Sequence, residues 1–281
     1  DSLEKVIKAI GEDVSEYALL VDEYHLLFTQ YSFRESAIHK VLDNYTKFKE
    51  YCFMTATVLD EEFILDELKD VELVKAEWEG TVNVKVNSVH CPKGVIGSTV
   101  DLINRYLTGE EEGNAYIFVN SVAFIKDVLT NIPELTIENC NVIYSKSNKT
   151  KVGIDRGTLP STASATPKKI NLLTSTVFEG SDIYDEEGKT YIISDATKAH
   201  TLVDISTSFQ QIAGRIRNSK YITELTHMFT FTRYNGLTYN QFKEKSLEDI
   251  KLTKIAVKEF NSLSDYTKQL FQSKPNETYL S

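Results

Sequence analysis

At 281 residues the chain is long enough for one or two domains with a sizeable core. Its 41% hydrophobic and 26% charged content is that of an ordinary globular protein, and no apolar run approaches the roughly eighteen residues of a membrane span. A net charge of −10 argues against a nucleic-acid binder that relies on a basic surface throughout, though not against one basic channel on an acidic exterior.

Cys52, Cys91 and Cys140 have neither metal-ligand nor disulfide spacing, so a reducing, cytoplasmic location is expected, with no membrane partner. No signal peptide opens the chain, and Asp1 in place of Met suits an excised piece. Local basic spots occur at Lys146, Lys149 and Lys151, at Lys168 and Lys169, and at Arg215, Arg217 and Lys220; each is either part of such a channel or a solvated face.

Apolar runs bounded by turns alternate with helical periodicity, the pattern of an α/β fold with a parallel sheet. Tyr17 to Val21 reads as a short buried strand ending at Asp22. Phe33, Ala37, Ile38, Val41, Leu42, Tyr45 and Phe48 recur at helical spacing, predicting a helix over 33–49. Tyr51 to Met54 is the next strand. Asp60 then caps a helix carrying Glu61, Glu62, Phe63, Ile64, Glu67 and Leu68. From 71 to 87 the pattern is strand-like, with Val82, Val84 and Val86 alternating, and a domain boundary is expected near Trp78 to Gly80.

A second α/β unit follows. Strands are predicted at 115–119, 141–144, 170–173, 191–193 and 224–231, with a loop over 157–167. Ser121 should cap a helix through Ile125, Val128, Leu129 and Ile132 that Pro133 stops. A helical tail is expected from Tyr239 to Phe271, with Leu247, Ile250, Val257 and Phe260 packing on their own domain. The expected domains are therefore 1–79, 80–235 and 236–281.

Four runs stand out: Val21-Asp22-Glu23-Tyr24-His25, Thr55-Ala56-Thr57, Thr174 to Asp182, and Gln211-Ile212-Ala213-Gly214-Arg215-Ile216-Arg217. The first three close predicted strands, where ligands of open α/β sheets bind. Paired carboxylates at a strand end can hold a metal and orient a water. Gly180 permits close backbone approach to a phosphate or a neighbouring loop. Two guanidinium groups two residues apart can stabilise charge on a phosphoryl group. Singly, each run is also compatible with a strand end, a glycine turn or surface arginines.

In this order and spacing the runs resemble motifs II, III, V and VI of superfamily 2 DExH helicases, and Tyr116 to Ser121 is similar to motif IV. The resemblance extends from the opening residues to about Lys220. It implies two RecA-like domains, the first partial, the second nearly complete and followed by the helical tail. It also implies ATP and Mg2+ as cofactors and nucleic acid as partner, with DNA favoured over RNA.

Carried over by position, Asp22 would be the magnesium ligand and Glu23 would polarise the attacking water. His25 would link the nucleotide site to Thr55, Thr57 and Gln211. Gly180 and Asp182 would lie near the nucleotide, while Thr55, Thr57, Thr174 and Ser175 would contact nucleic acid. Gln211 would meet the γ-phosphate or the water, with Arg215 and Arg217 as finger candidates, Arg215 the firmer. The usual second arginine lies one residue later, where this chain has Asn218, and Glu179 stands where many relatives carry arginine.

The phosphate-cradling G-x-x-x-x-G-K-[ST] is nowhere in the 281 residues. The expectation is a helicase piece beginning beyond that loop, which alone neither binds ATP tightly nor hydrolyses it. The alternative is an ATPase-dead module that binds nucleic acid or a partner protein. Oligomeric state is not legible in the sequence.

Overall fold

A computed structural model describes residues 2–57, 64–76, 83–145, 159–162, 166–178, 180–205, 207–231, 236–264 and 266–268. Several expectations fall outside the described residues: the cap and first turn at Asp60 to Phe63, the boundary at Trp78 to Gly80, Val82, Lys146, Lys149, Lys151 and Glu179. Part of the 157–167 loop and the end of the tail at Phe271 do so as well. The fold is mixed α/β, and the chain divides into two compact units. The first comprises Asp1–Ala56, Asp60–Val71 and Tyr234–Ser281; the second comprises Thr57–Leu59 and Glu72–Arg233.

In the first unit, β1 (Ala18–Val21) pairs in parallel with β2 (Glu50–Phe53). Helices α1 (Ser2–Ile10), α2 (His25–Thr29) and α3 (Tyr31–Leu42) belong to the same unit. Leu27, Ile38, Leu42, Tyr45 and Leu68 form its small core. Two expectations are corrected. Strand β1 is only half buried, with Leu20 60% exposed, because a two-stranded sheet has one packed face. The helix predicted over 33–49 ends at Leu42. Tyr45 and Phe48 are buried, yet they follow a turn in which the Asn44 side chain donates to the Lys40 carbonyl and a 3-10 turn (Tyr45–Lys47) resumes the chain.

The second unit holds a six-stranded, wholly parallel sheet in the order β3–β8–β7–β4–β6–β5. Its strands are β3 (Lys85–His90), β4 (Asn114–Phe118), β5 (Cys140–Ile143), β6 (Ile170–Leu173), β7 (Gly188–Ser194) and β8 (Glu224–Phe229). Of the described residues from 71 to 87, the last three enter a strand. Inner strands are apolar on both faces, as a parallel sheet covered on both sides demands. On one face Ala115 and Ile117 pack under α4 (Val95–Thr108) and α5 (Val122–Asn131), against Ile103, Tyr106, Phe124 and Val128. On the other, Tyr116 and Phe118 meet Phe209 and Ile212 of α6 (Ser208–Ala213) together with Ile183 and Ile216.

Helix α5 begins as the sequence indicates. The Ser121 hydroxyl accepts from the Phe124 amide at 3.2 Å. Helix α7 (Tyr239–Asn261) departs from expectation, since none of its residues is buried and Leu247 and Ile250 are 57% and 50% exposed. A capping box between Thr238 and Gln241 defines its start in place of tertiary packing. Among the described residues, no helix is long and apolar enough to cross a membrane.

His227 of β8 is partly enclosed, its Nε2 3.0 Å from the Ser194 hydroxyl. Burial holds its pKa below the usual imidazole value. As pH falls through about 6.5, the unfolded chain therefore takes up this proton before the folded one does, and stability drops. We expect a lower denaturant midpoint at pH 5.5 than at pH 7.5, with a smaller difference in His227→Gln. An equal difference in both proteins would refute this assignment.

Candidate functional site

Several of the residues singled out in the sequence form two clusters, one in each unit. In the first unit the chain leaves β1 at Asp22, and Glu23 adopts a left-handed backbone with φ of 53°. For a residue with a side chain this is a strained conformation of the kind concentrated at functional sites. The Asp22 carboxylate steadies it by accepting from the Glu23 amide at 2.9 Å. Beyond the strands the pairing continues, with Met54 N–H donating to Val21 and Tyr24 N–H to Met54 at 2.8 and 2.9 Å. Thr55 is thereby set beside Glu23 and His25.

The Thr55 hydroxyl lies 2.8 Å from His25 Nδ1 and donates to Glu23 Oε2 at 3.4 Å. An imidazole carrying its proton on Nδ1 donates to Thr55 and leaves the hydroxyl proton for Glu23. Nδ1 is also 3.4 Å from Glu23 Oε2, and His25 is fully buried. Asp22 remains exposed at the strand end.

In the second unit, Arg215 is buried, with 7% exposure, and donates to oxygens of two neighbouring segments. Its Nε donates to the Gln211 carbonyl at 2.8 Å, Nη2 to Gln211 Oε1 at 3.0 Å, and Nη1 to the Ser181 carbonyl at 3.1 Å. Gln211 Nε2 in turn donates to the hydroxyl of Thr57, which clusters with this unit. Backbone bonds of 2.9 Å, from Ile183 N–H to Arg215 and from Arg217 N–H to Ile183, join the two segments as a short parallel bridge between Ile183 and Ile216. Arg217 is half exposed and pairs with Asp182 at 2.6 Å.

The two arginines thus differ in kind, one a buried tie and the other a solvent-facing charge. The sequence reading missed the Ser181 carbonyl and the Ile183–Ile216 bridge; the available signal was the isoleucine set between two arginines and another after Asp182.

Thr174 follows β6 and is buried, its hydroxyl on the Ile143 carbonyl, whereas Ser175 and Thr176 are exposed. Gly180 has φ of 66°, and no described atom comes within 4 Å of where a Cβ would stand. The left-handed backbone is itself a reason for glycine here. At the end of β4, Asn120 donates to the His200 carbonyl at 2.7 Å.

Three of the basic residues lie elsewhere. Lys168 and Lys169 precede β6, and Lys220 pairs with Glu187 just before β7, so all three occupy the amino-terminal edge, opposite the strand ends above. Lys168 donates to the Ile137 and Cys140 carbonyls.

No protein-family model matches this chain, and no curated protein matches it in sequence.

Arg215→Ala would strand buried acceptors and should cost about 2–4 kcal/mol. Arg217→Ala removes an exposed pair and should cost no more than about 1 kcal/mol. Urea unfolding of both variants checks this, and equal losses would refute the distinction.

Proposed function

We propose that the chain is part of an ATP-driven nucleic-acid motor, a DExH-type superfamily 2 helicase or translocase, acting on DNA in preference to RNA. In this reading the six-stranded unit is the second RecA-like domain, and the β1–β2 unit is the end of the first. The observation that carries it is the joining of Ser181–Ile183 to Arg215–Arg217, two runs far apart in sequence, beside a parallel sheet whose carboxyl rim holds Ser175 and Thr176. A fold alone would carry no function; the reading rests on the residues at the strand ends.

The donor set fits hydrated magnesium. Asp22 is a single exposed carboxylate, and magnesium takes one or two carboxylates plus phosphates and keeps its remaining waters. Among the described residues no group of three or more metal-binding side chains occurs, so a denser protein cage has no support. Magnesium–ATP supplies the phosphoanhydride to be broken. Glu23, fixed by Thr55 and His25, orients the attacking water and receives its proton. Arg217 has half its side chain in solvent and can turn from Asp182 toward a phosphoryl group, while Arg215 holds Gln211 in position.

The reading requires the phosphate-gripping loop to come from chain outside these 281 residues. The second reading is an ATPase-dead module that binds nucleic acid or a partner protein. Steady-state hydrolysis by the protein extended to include the loop separates the two. We expect turnover stimulated by single-stranded DNA, lowered at least about a hundredfold in Glu23→Gln with nucleotide binding retained. Undiminished turnover in Glu23→Gln would remove Glu23 from its role, and no turnover in the extended protein would favour the module.

A further inference from the structure

Residues outside the motifs form a ladder of rings on the sheet face that carries α6. Leu225, His227, Phe229 and Phe231 alternate to one side of β8, and His90 sits opposite Phe229 in the register with β3. Phe209 of α6 meets His227 edge-on with centroids 5.4 Å apart. His227 lies nearly parallel to Phe229 at 5.2 Å. Beyond it, His90 and Phe231 stack at 4.2 Å with planes 18° apart.

The ladder runs from a buried foot, Phe209, to an open end, where Phe231 is 40% exposed and His90 is exposed as well. That end is the carboxyl rim of the parallel strands, since His90 closes β3 and Phe229 closes β8. It is the rim that Ser175 and Thr176 occupy after β6, three strand spacings or roughly 14 Å away.

We propose that His90, Phe229 and Phe231 form a stacking platform for a planar nucleobase, an inference that rests on the nucleic-acid reading above. Near-parallel rings that end in solvent leave a π-face for a further flat ring, whereas an aliphatic partner gains nothing from their alignment. Stacking of this kind accepts any base and suits a motor that must move along sequence indifferently. The polar surroundings favour the base over the backbone. Thr230, between Phe229 and Phe231, donates to the Asp195 carboxylate at 3.2 Å, and Thr197 donates to it at 2.7 Å. A carboxylate here repels phosphate, so a strand crossing the rim turns its bases to the rings and its phosphates toward the hydroxyls of Ser175 and Thr176. The same chemistry would accept the base of a free nucleotide.

The test is fluorescence anisotropy of the 281-residue chain with labelled oligothymidylate and with an abasic oligomer of equal length, alongside calorimetry with ADP. For a strand base, Phe231→Ala should weaken oligothymidylate binding roughly ten- to a hundredfold and leave abasic binding unchanged, with Phe231→Tyr restoring affinity. His90→Ala, which removes the stacked neighbour, should weaken it in the same sense and serves if Phe231→Ala does not fold. Loss of ADP affinity in these variants, with oligothymidylate unaffected, would identify a free nucleotide as the source of the base. Wild-type binding that does not distinguish thymidylate from abasic oligomer, with unchanged ADP affinity in the variants, would overturn the platform alone. A wild-type chain that binds none of the three would defeat the platform together with the nucleic-acid reading.

Discussion

The buried guanidinium of Arg215 is the constraint on which the second unit's candidate site depends. Hydrogen bonds from it hold the Gln211 backbone, the Gln211 amide and the Ser181 carbonyl at once. A charge taken out of water is costly unless every donor is met, so the arrangement is close to all-or-none. Once it forms, the chain after Gly180 and the chain after α6 are locked in register, and Ile183 and Ile216 close the core beneath them. Asp182 and Arg217 are then carried outward together as an exposed acid and base.

The first unit solves a related problem with less material. Its two-stranded sheet buries little, yet hydrogen bonds past the ends of β1 and β2 bring Glu23, Thr55 and His25 within 3.4 Å of one another. The left-handed turn at Glu23 is the local cost of aiming that carboxylate, and the Asp22 side chain offsets part of it. Asp22, Glu23 and Thr55 in the first unit, and Thr174 to Thr176 in the second, sit where parallel strands end, which follows from strand direction rather than from the identity of any loop.

Much of this was legible in the sequence wherever one short-range rule decided the outcome. The strand ends at Asp22, Thr55 and Thr174 and the Ser121 cap follow from apolar runs and local capping. The expectations that failed turned on what surrounds an element. Tyr45 and Phe48 keep helical spacing after the helix has stopped, because burial constrains position and not backbone conformation. The stripe on α7 has helical period but no covering surface among the described residues. Clustered lysines indicated charge but not which edge of the sheet would carry it. The unequal roles of Arg215 and Arg217 were invisible too, since Ser181 lies 34 residues from Arg215 in the chain.

The most direct measurement is amide hydrogen exchange at Ile183 and Arg217, the two N–H groups of the bridge. If the buried arginine locks the two segments into one site, both amides should exchange as slowly as those of β4, and Arg215→Ala should release both together. Exchange at the rate of an exposed loop in the wild-type chain would contradict the account, because the segments would then not be held in a common site.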